Sequence, residues 1–115
     1  AFTYTVMLQL EDYGWCKKGE GKDYVKSGAI NLGGKHPNNT SGGHLCEAYT
    51  HGMNMVIENV RQLRGTVDDY CPKAADGVHT YDYSEGGCRE VMDAEVSMNM
   101  GWGTPAVGSA LIMRK

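Results

Sequence analysis

The residues best equipped for chemistry in this 115-residue chain lie together in the run Gly42–Asn54, GGHLCEAYTHGMN. Tyr49 stands inside it, with His44 upstream and His51 immediately downstream of Thr50. Histidine titrates near neutrality and serves readily as acid or base. A phenol titrates about three and a half pKa units higher. Tyr49 therefore does proton work only where its surroundings draw it towards working pH. Gly42, Gly43 and Gly52 suit tight backbone geometry, and their N–H groups are of the kind that line an oxyanion hole. Cys46 is a small residue more at home buried than reacting. The plain alternative for Tyr49 is a packed ring with a satisfied hydroxyl, and for each histidine a structural or solvent-facing role.

Two helices have to position this run. Phe2, Val6, Leu10 and Tyr13 recur on one face and predict a helix over residues 2–13, stopped by Gly14. From about His51 to Arg64, Met53, Val56, Ile57, Val60 and Arg64 form one stripe with Leu63 beside it. Gly65 is its C-terminal stop, and Arg61 and Arg64 suit the negative end of the dipole. Its N-terminal N–H groups would face an anion or a developing oxyanion just after Tyr49.

Gly14–Pro37 reads as a long, lysine-punctuated loop with a short strand around Ala29–Leu32. Its lysines are either a solvated face or contacts to the phosphates of a ligand such as coenzyme A. Residues 67–89 show no periodicity and read as an insertion loop, with His79, Tyr70, Tyr81 and Tyr83 packing it down or serving an interface. Val91–Met100 and Val107–Met113 read as a terminal antiparallel hairpin joined through Gly101–Pro105.

Composition narrows the class. Hydrophobic content of 41% and charged content of 22% are ordinary for one globular domain. The net charge of −3 and the lack of a basic stripe argue against nucleic-acid binding. No apolar run approaches membrane-spanning length. Cys16, Cys46, Cys71 and Cys88 lack zinc-ribbon or redox spacing, so free thiols in a reducing cytoplasm are expected. Cys71 and Cys88 are the pair to bridge if any does, and a zinc site from Cys71, His79 and Cys88 is disfavoured by its spacing. No metal is expected. The overlapping glycosylation sequons at Asn38–Ser41 carry no meaning in that compartment. Opening at Ala1-Phe2 inside a helical pattern leads us to expect a fragment or separate piece of a longer protein.

Three stretches carry a resemblance. AFTYTVMLQLEDYGWCKKGEG, NTSGGHLCEAYTHGMNMVIENVRQLRG and VSMNMGWGTPAVGSALIMRK resemble, in order, the helix-loop, the double-Gly turn with its following helix, and the closing hairpin of thiolase-superfamily enzymes. The subgroup most similar is the sterol-carrier-protein thiolases and the lipid-transfer-protein aldolases of steroid side-chain degradation. The second stretch is the most specific, and residues 67–89 have no recognised counterpart. The implied fold is α/β: the C-terminal portion of a thiolase-type fold, with helix, loop, helix and a terminal antiparallel β-hairpin belonging to a mixed sheet packed by helices. Residues 1–115 would be one C-terminal domain portion, the N-terminal half lying outside this chain.

The departures from that family decide the expected chemistry. Tyr49 stands where thiolases carry a Gly-His-Pro histidine. Ala1 stands where their His-Asp-Cys-Phe motif has its Cys. Of a Gln-His-Asn run in the closing hairpin, Ser97-Met98-Asn99 keeps only Asn99, and Glu95 occupies the place of a second Cys. A thiolase needs a thiolate, an activating base and an acid. A retro-aldol cleavage needs only a base for a β-hydroxyl and a stabilised thioester enolate. In the aldolases a tyrosine at the place of Tyr49 is implied to act with a second tyrosine that would precede Ala1.

The expected function is thus retro-aldol cleavage of a β-hydroxyacyl-CoA. Tyr49 is the acid–base, His44 or His51 replaces the missing base, and Gly42, Gly43, Gly52, Asn99 and Gly101 serve the oxyanion. The alternatives are a β-ketoacyl-CoA thiolase or acyltransferase whose nucleophilic Cys lies elsewhere, and a non-catalytic scaffold subunit. CoA enters as the substrate thioester and no covalent cofactor is expected. The resemblance implies a homodimer, or a hetero-oligomer with a thiolase N-terminal part and an OB-fold zinc-ribbon protein.

Overall fold

The computed structural model describes residues 2–46, 49–67, 91, 93–103 and 107–115. In chain order these form α1 (Thr3–Asp12), α2 (Gly21–Lys26), a 3-10 turn at Gly43–Leu45, α3 (Met53–Arg64), β1 (Val96–Gly103) and β2 (Val107–Arg114).

The expected first helix is α1. Thr5 Oγ1 donates to the Phe2 carbonyl (2.6 Å) in its first turn, and left-handed Gly14 (φ +79°) follows its end. The predicted apolar face is divided in use. Leu10 is fully buried, whereas Phe2 stays open and meets Trp102 edge-on at 6.2 Å. Gln9 Nε2 and the Tyr13 hydroxyl each donate to a carbonyl of the hairpin, those of Gly101 and Ser109, both at 3.4 Å.

The stretch read as one long loop contains α2, and the strand expected at Ala29–Leu32 is a set of turns. Local bonds take the backbone there: Asn31 N–H to the Gly28 carbonyl (3.1 Å), Gly34 N–H to the Asn31 carbonyl (2.8 Å) and His36 N–H to the Ala29 carbonyl (2.8 Å). A strand would have needed those groups for a neighbour. Gly21 sits against α1, where its N–H donates to Glu11 Oε1 (2.9 Å). Three rings then tie the segment together. His36 stacks on Trp15 at 4.9 Å and on Tyr24 at 6.1 Å, and the Tyr24 hydroxyl is hydrogen-bonded to His36 Nδ1.

The second expected helix is α3, closed by left-handed Gly65 (φ +64°) with Arg61 and Arg64 in its last turn. Its buried residues differ from the expected stripe. Met53 and Ile57 are exposed, while Glu58, Gln62 and Leu63 are buried. The polar pair is affordable inside because it is paired. Thr40 Oγ1 donates to Glu58 Oε1 (2.8 Å), Gln62 Nε2 donates to the same oxygen (3.0 Å), and Gln62 Oε1 accepts from Val91 N–H (2.8 Å). Leu10, Leu63 and Val67 are the buried apolar residues among those described.

The terminal hairpin forms as expected, β1 antiparallel to β2 with Asn99 opposite Leu111 and Gly101 opposite Ser109. Gly101–Gly103, expected in the turn, belong to β1 and pair with Ser109, Gly108 and Val107. α3 packs on β1.

Cys16 and Cys46 are free thiols, as expected, but Cys46 is exposed rather than buried. Cys71, Cys88 and His79, with the insertion reading for most of 67–89, lie outside the described residues. Among the described residues no helix is long and apolar enough to cross a membrane, and no cluster of His, Cys, Asp and Glu is arranged to hold a metal ion.

Candidate active site

The site is built on two left-handed corners. Gly42 (φ +90°) and Gly43 (φ +69°) bend the chain into the 3-10 turn that carries His44. Gly42 is demanded twice over: a Cβ there would also lie 2.5 Å from Cys46 Sγ. At the second corner His51 (φ +50°) and Gly52 (φ +86°) are left-handed in succession, immediately before α3. A non-glycine residue in this region is costly, about 1–2 kcal/mol. Such strain collects where a side chain has to be aimed.

The corners fold both imidazoles onto one phenol. The His44 ring lies 4.6 Å from the Tyr49 ring, tilted by 47°. The His51 ring meets Tyr49 edge-on at 5.0 Å and 65°. Tyr49 remains 64% exposed, so the packed-ring alternative does not describe it. Its hydroxyl makes no hydrogen bond with the described residues. His44 Nδ1 is buried and has no hydrogen-bond partner, whereas His51 is exposed to water.

The start of α3 is occupied from within. Met53 N–H donates to the Thr50 carbonyl (3.2 Å), Asn54 N–H to Thr50 Oγ1 (3.2 Å), and Met55 and Val56 N–H to the Gly52 carbonyl (3.1 and 3.3 Å). The expectation that these helix-terminal donors face an anion is not met, because the turn residues satisfy them. Thr50 is the residue that sequence reasoning missed. A threonine shortly ahead of an apolar period is a helix-start signal that would have found it, although Gly52 holds the N-cap position itself.

The structure thus brings together Tyr49, His44 and His51, with Gly42, Gly43 and Gly52 at the corners. Asn99 and Gly101 stand on β1, where Gly101 pairs with Ser109 and its carbonyl accepts from Gln9. Among the described residues, no hydrogen bond or ring contact links either to Tyr49. The arrangement offers an open phenol for proton transfer and two imidazoles against it.

Residues 1–89 match the family described as thiolase C-terminal domain-like. The chain belongs to that family. Its α/β architecture is accordingly that of a C-terminal thiolase-type portion. Over 65 residues the thiolase-like chain is 58% identical to a 17-hydroxy-3-oxo-4-pregnene-20-carboxyl-CoA lyase of Mycobacterium tuberculosis, covering 56% of this chain and 17% of that protein. A steroid side-chain-cleaving aldolase of Thermomonospora curvata is 52% identical with the same coverage. The benzoylsuccinyl-CoA thiolase subunit BbsB of Thauera aromatica is 32% identical over 94 residues, 77% of this chain and 24% of that protein. The thiolase-like chain therefore spans about a fifth of the length of these relatives. No solved structure matches it.

Proposed function

We propose that this thiolase-like chain is part of an enzyme that cleaves the bond between the α and β carbons of a β-hydroxyacyl-CoA by a retro-aldol step. Tyr49, as its phenolate, takes the proton of the β-hydroxyl and becomes the neutral phenol that later returns the proton to Cα. The O–H bond breaks and a β-carbonyl forms. The Cα–Cβ bond breaks, and its electron pair becomes the enolate of the CoA thioester. Protonation of that enolate at Cα releases a shortened acyl-CoA. The protein brings no covalent cofactor to this step. Gly43, Gly52, Asn99 and Gly101 are the backbone and amide groups we assign to the thioester oxygen; the Gly42 N–H, expected among them, is taken by the Asn39 carbonyl (2.8 Å).

One observation carries the reading. Tyr49 is an open phenol held between two imidazoles at the corner before α3. The relatives named as a CoA lyase and a steroid side-chain-cleaving aldolase support it, and they favour a steroid acid as the acyl group. The working enzyme includes further polypeptide, either preceding residues or a partner subunit, in a homodimer or with an OB-fold zinc-ribbon protein, in the cytoplasm.

In the full-length protein, Tyr49→Phe is expected to lower turnover of a β-hydroxyacyl-CoA by about 10²–10⁴-fold with the thermal melt unchanged. Unaltered turnover rejects Tyr49 as the proton-handling group. The thiolase-named relative favours a second reading, acyl transfer through a cysteine outside this chain. Mass spectrometry of the quenched reaction separates the two: acyl transfer leaves an acyl-enzyme, and the aldolase leaves none.

A further inference from the structure

We infer that Thr40 is a positioning residue: clamped to α3 by Glu58 and Gln62, it fixes the corner that carries His44 relative to the helix that Tyr49 precedes, and so sets the contact between the two rings. Its effect on turnover rests on the retro-aldol reading; its effect on the rings does not.

Three side chains make the clamp. Thr40 Oγ1 donates to Glu58 Oε1 (2.8 Å), Gln62 Nε2 donates to the same oxygen (3.0 Å), and Gln62 Nε2 also donates to Thr40 Oγ1 (3.1 Å). The cycle uses the threonine hydroxyl as donor and acceptor at once. Serine reproduces that pair of bonds, whereas valine has the shape without either. Glu58 and Gln62 are only 3% and 6% exposed, so water competes little for these bonds and cannot readily replace a lost partner. What the clamp joins decides its role. Thr40 lies inside the turn closed by Gly42 N–H on the Asn39 carbonyl (2.8 Å). Gly42 opens the left-handed corner that bends His44 onto Tyr49. Glu58 and Gln62 lie on α3, which begins at the other corner, Gly52, shortly after Tyr49. The segment carrying His44, Tyr49 and His51 is therefore an excursion whose two ends are tied to each other through one hydroxyl. Tyr49 itself is open, so its place against His44 depends on where those ends stand. A reacting group that drifts by about 1 Å can lose about 10²-fold in rate.

The test is nuclear magnetic resonance of the full-length protein with labelled histidine, beside a turnover assay. The ring signals of His44, assigned with His44→Gln, should be displaced by the ring current of Tyr49, and Tyr49→Leu gives their undisplaced positions. Thr40→Val is expected to move the signals most of the way to those positions, and Thr40→Ser to leave them displaced. In turnover of a β-hydroxyacyl-CoA, Thr40→Val should lower kcat about 10-fold per folded molecule with KM changed less than about twofold, and Thr40→Ser should restore kcat. Gln62→Met breaks the same cycle from α3 and should act in the same direction, so the outcome does not hang on one variant folding. His44 signals that stay displaced in Thr40→Val and Gln62→Met overturn the inference, and a lowered melting temperature in those proteins would then mark a merely structural tie. Signals that move while kcat stays unchanged uphold the clamp and count against the Tyr49 reading instead, which turnover by Tyr49→Phe decides separately.

Discussion

Among the described residues two tyrosine–histidine assemblies stand out, and they end in opposite states. In the first, His36 stacks on Trp15 and lies nearly parallel to Tyr24, whose hydroxyl fills its Nδ1. In the second, His44 and His51 flank Tyr49, the phenol is open, and His44 Nδ1 has no partner. The first assembly satisfies itself and ties down the segment between α1 and the Gly42 corner. In the second, the phenol and the His51 ring are exposed and the His44 nitrogen is buried without a partner. Residue type does not separate a latch from a candidate site here; the completeness of the hydrogen bonding does.

The comparison can be pressed from both sides. The largest effect on the open assembly's scaffold is expected from Gly42→Ala. It forces a side chain into a left-handed corner and onto Cys46, costing about 2–4 kcal/mol from backbone strain and overpacking together. A thermal melt measures it. Gly21→Ala, on the closed side, is the milder counterpart: its nearest obstacle is the end of the Glu11 side chain. A larger loss for Gly21→Ala would invert the comparison.

Next comes the latch itself. Tyr24→Phe is expected to cost about 1 kcal/mol in a denaturant titration, by leaving His36 Nδ1 unpaired, with turnover of the full-length protein unchanged. Burial raises the Tyr24 phenol above its ordinary range, with the Cys16 thiolate adding to the shift. Burial, then the Glu11 and Glu20 carboxylates, likewise raises the Cys16 thiol. Raised values mean that the folded protein holds these protons more tightly than the unfolded chain. Their stabilisation is complete below the ordinary thiol and phenol range, and is lost as pH climbs above it. Melting temperature should therefore fall from about pH 9 upward, and Cys16→Ser with Tyr24→Phe should flatten that fall. The same thiol should alkylate slowly. Iodoacetamide at pH 8 is expected to modify exposed Cys46 before Cys16, read by peptide mass spectrometry.

The smallest effect is expected at Lys18. Its charge is held by a hydrogen bond to Asp12, which raises its pKa, but both side chains are well exposed. Lys18→Met should leave the melt within error, as surface pairs do.

Much of this was legible before any coordinates. The four-and-three spacing from Phe2 to Tyr13 and the Gly65 stop located α1 and α3, because long periodic segments declare themselves. The six residues of α2 are too few for a period to show between flanking glycines. At Ala29–Leu32 the apolar letters suggested a strand, while Gly28 and Gly33, both left-handed, had already committed the backbone to turns. Met53 and Ile57 carry the helical stripe, yet Glu58 and Gln62 are buried instead, because Thr40 and Val91, distant in sequence, complete their hydrogen bonds. Tyr49, His44 and His51 were legible as neighbours along the chain. That one imidazole nitrogen is buried without a partner, and the other ring wet, is a property of the two corners in space. The Trp15–His36 stack gave no signal, since no spacing rule joins those positions.

The most direct measurement sets the two phenols against each other. Full-length wild type, Tyr24→Phe and Tyr49→Phe are assayed side by side for cleavage of a β-hydroxyacyl-CoA, with denaturant titration of each. Tyr49→Phe should lose turnover by about 10²–10⁴-fold at unchanged stability, and Tyr24→Phe should lose stability at unchanged turnover. Equal turnover in all three proteins, or loss only in Tyr24→Phe, would contradict the claim that the unsatisfied tyrosine is the one that moves the proton.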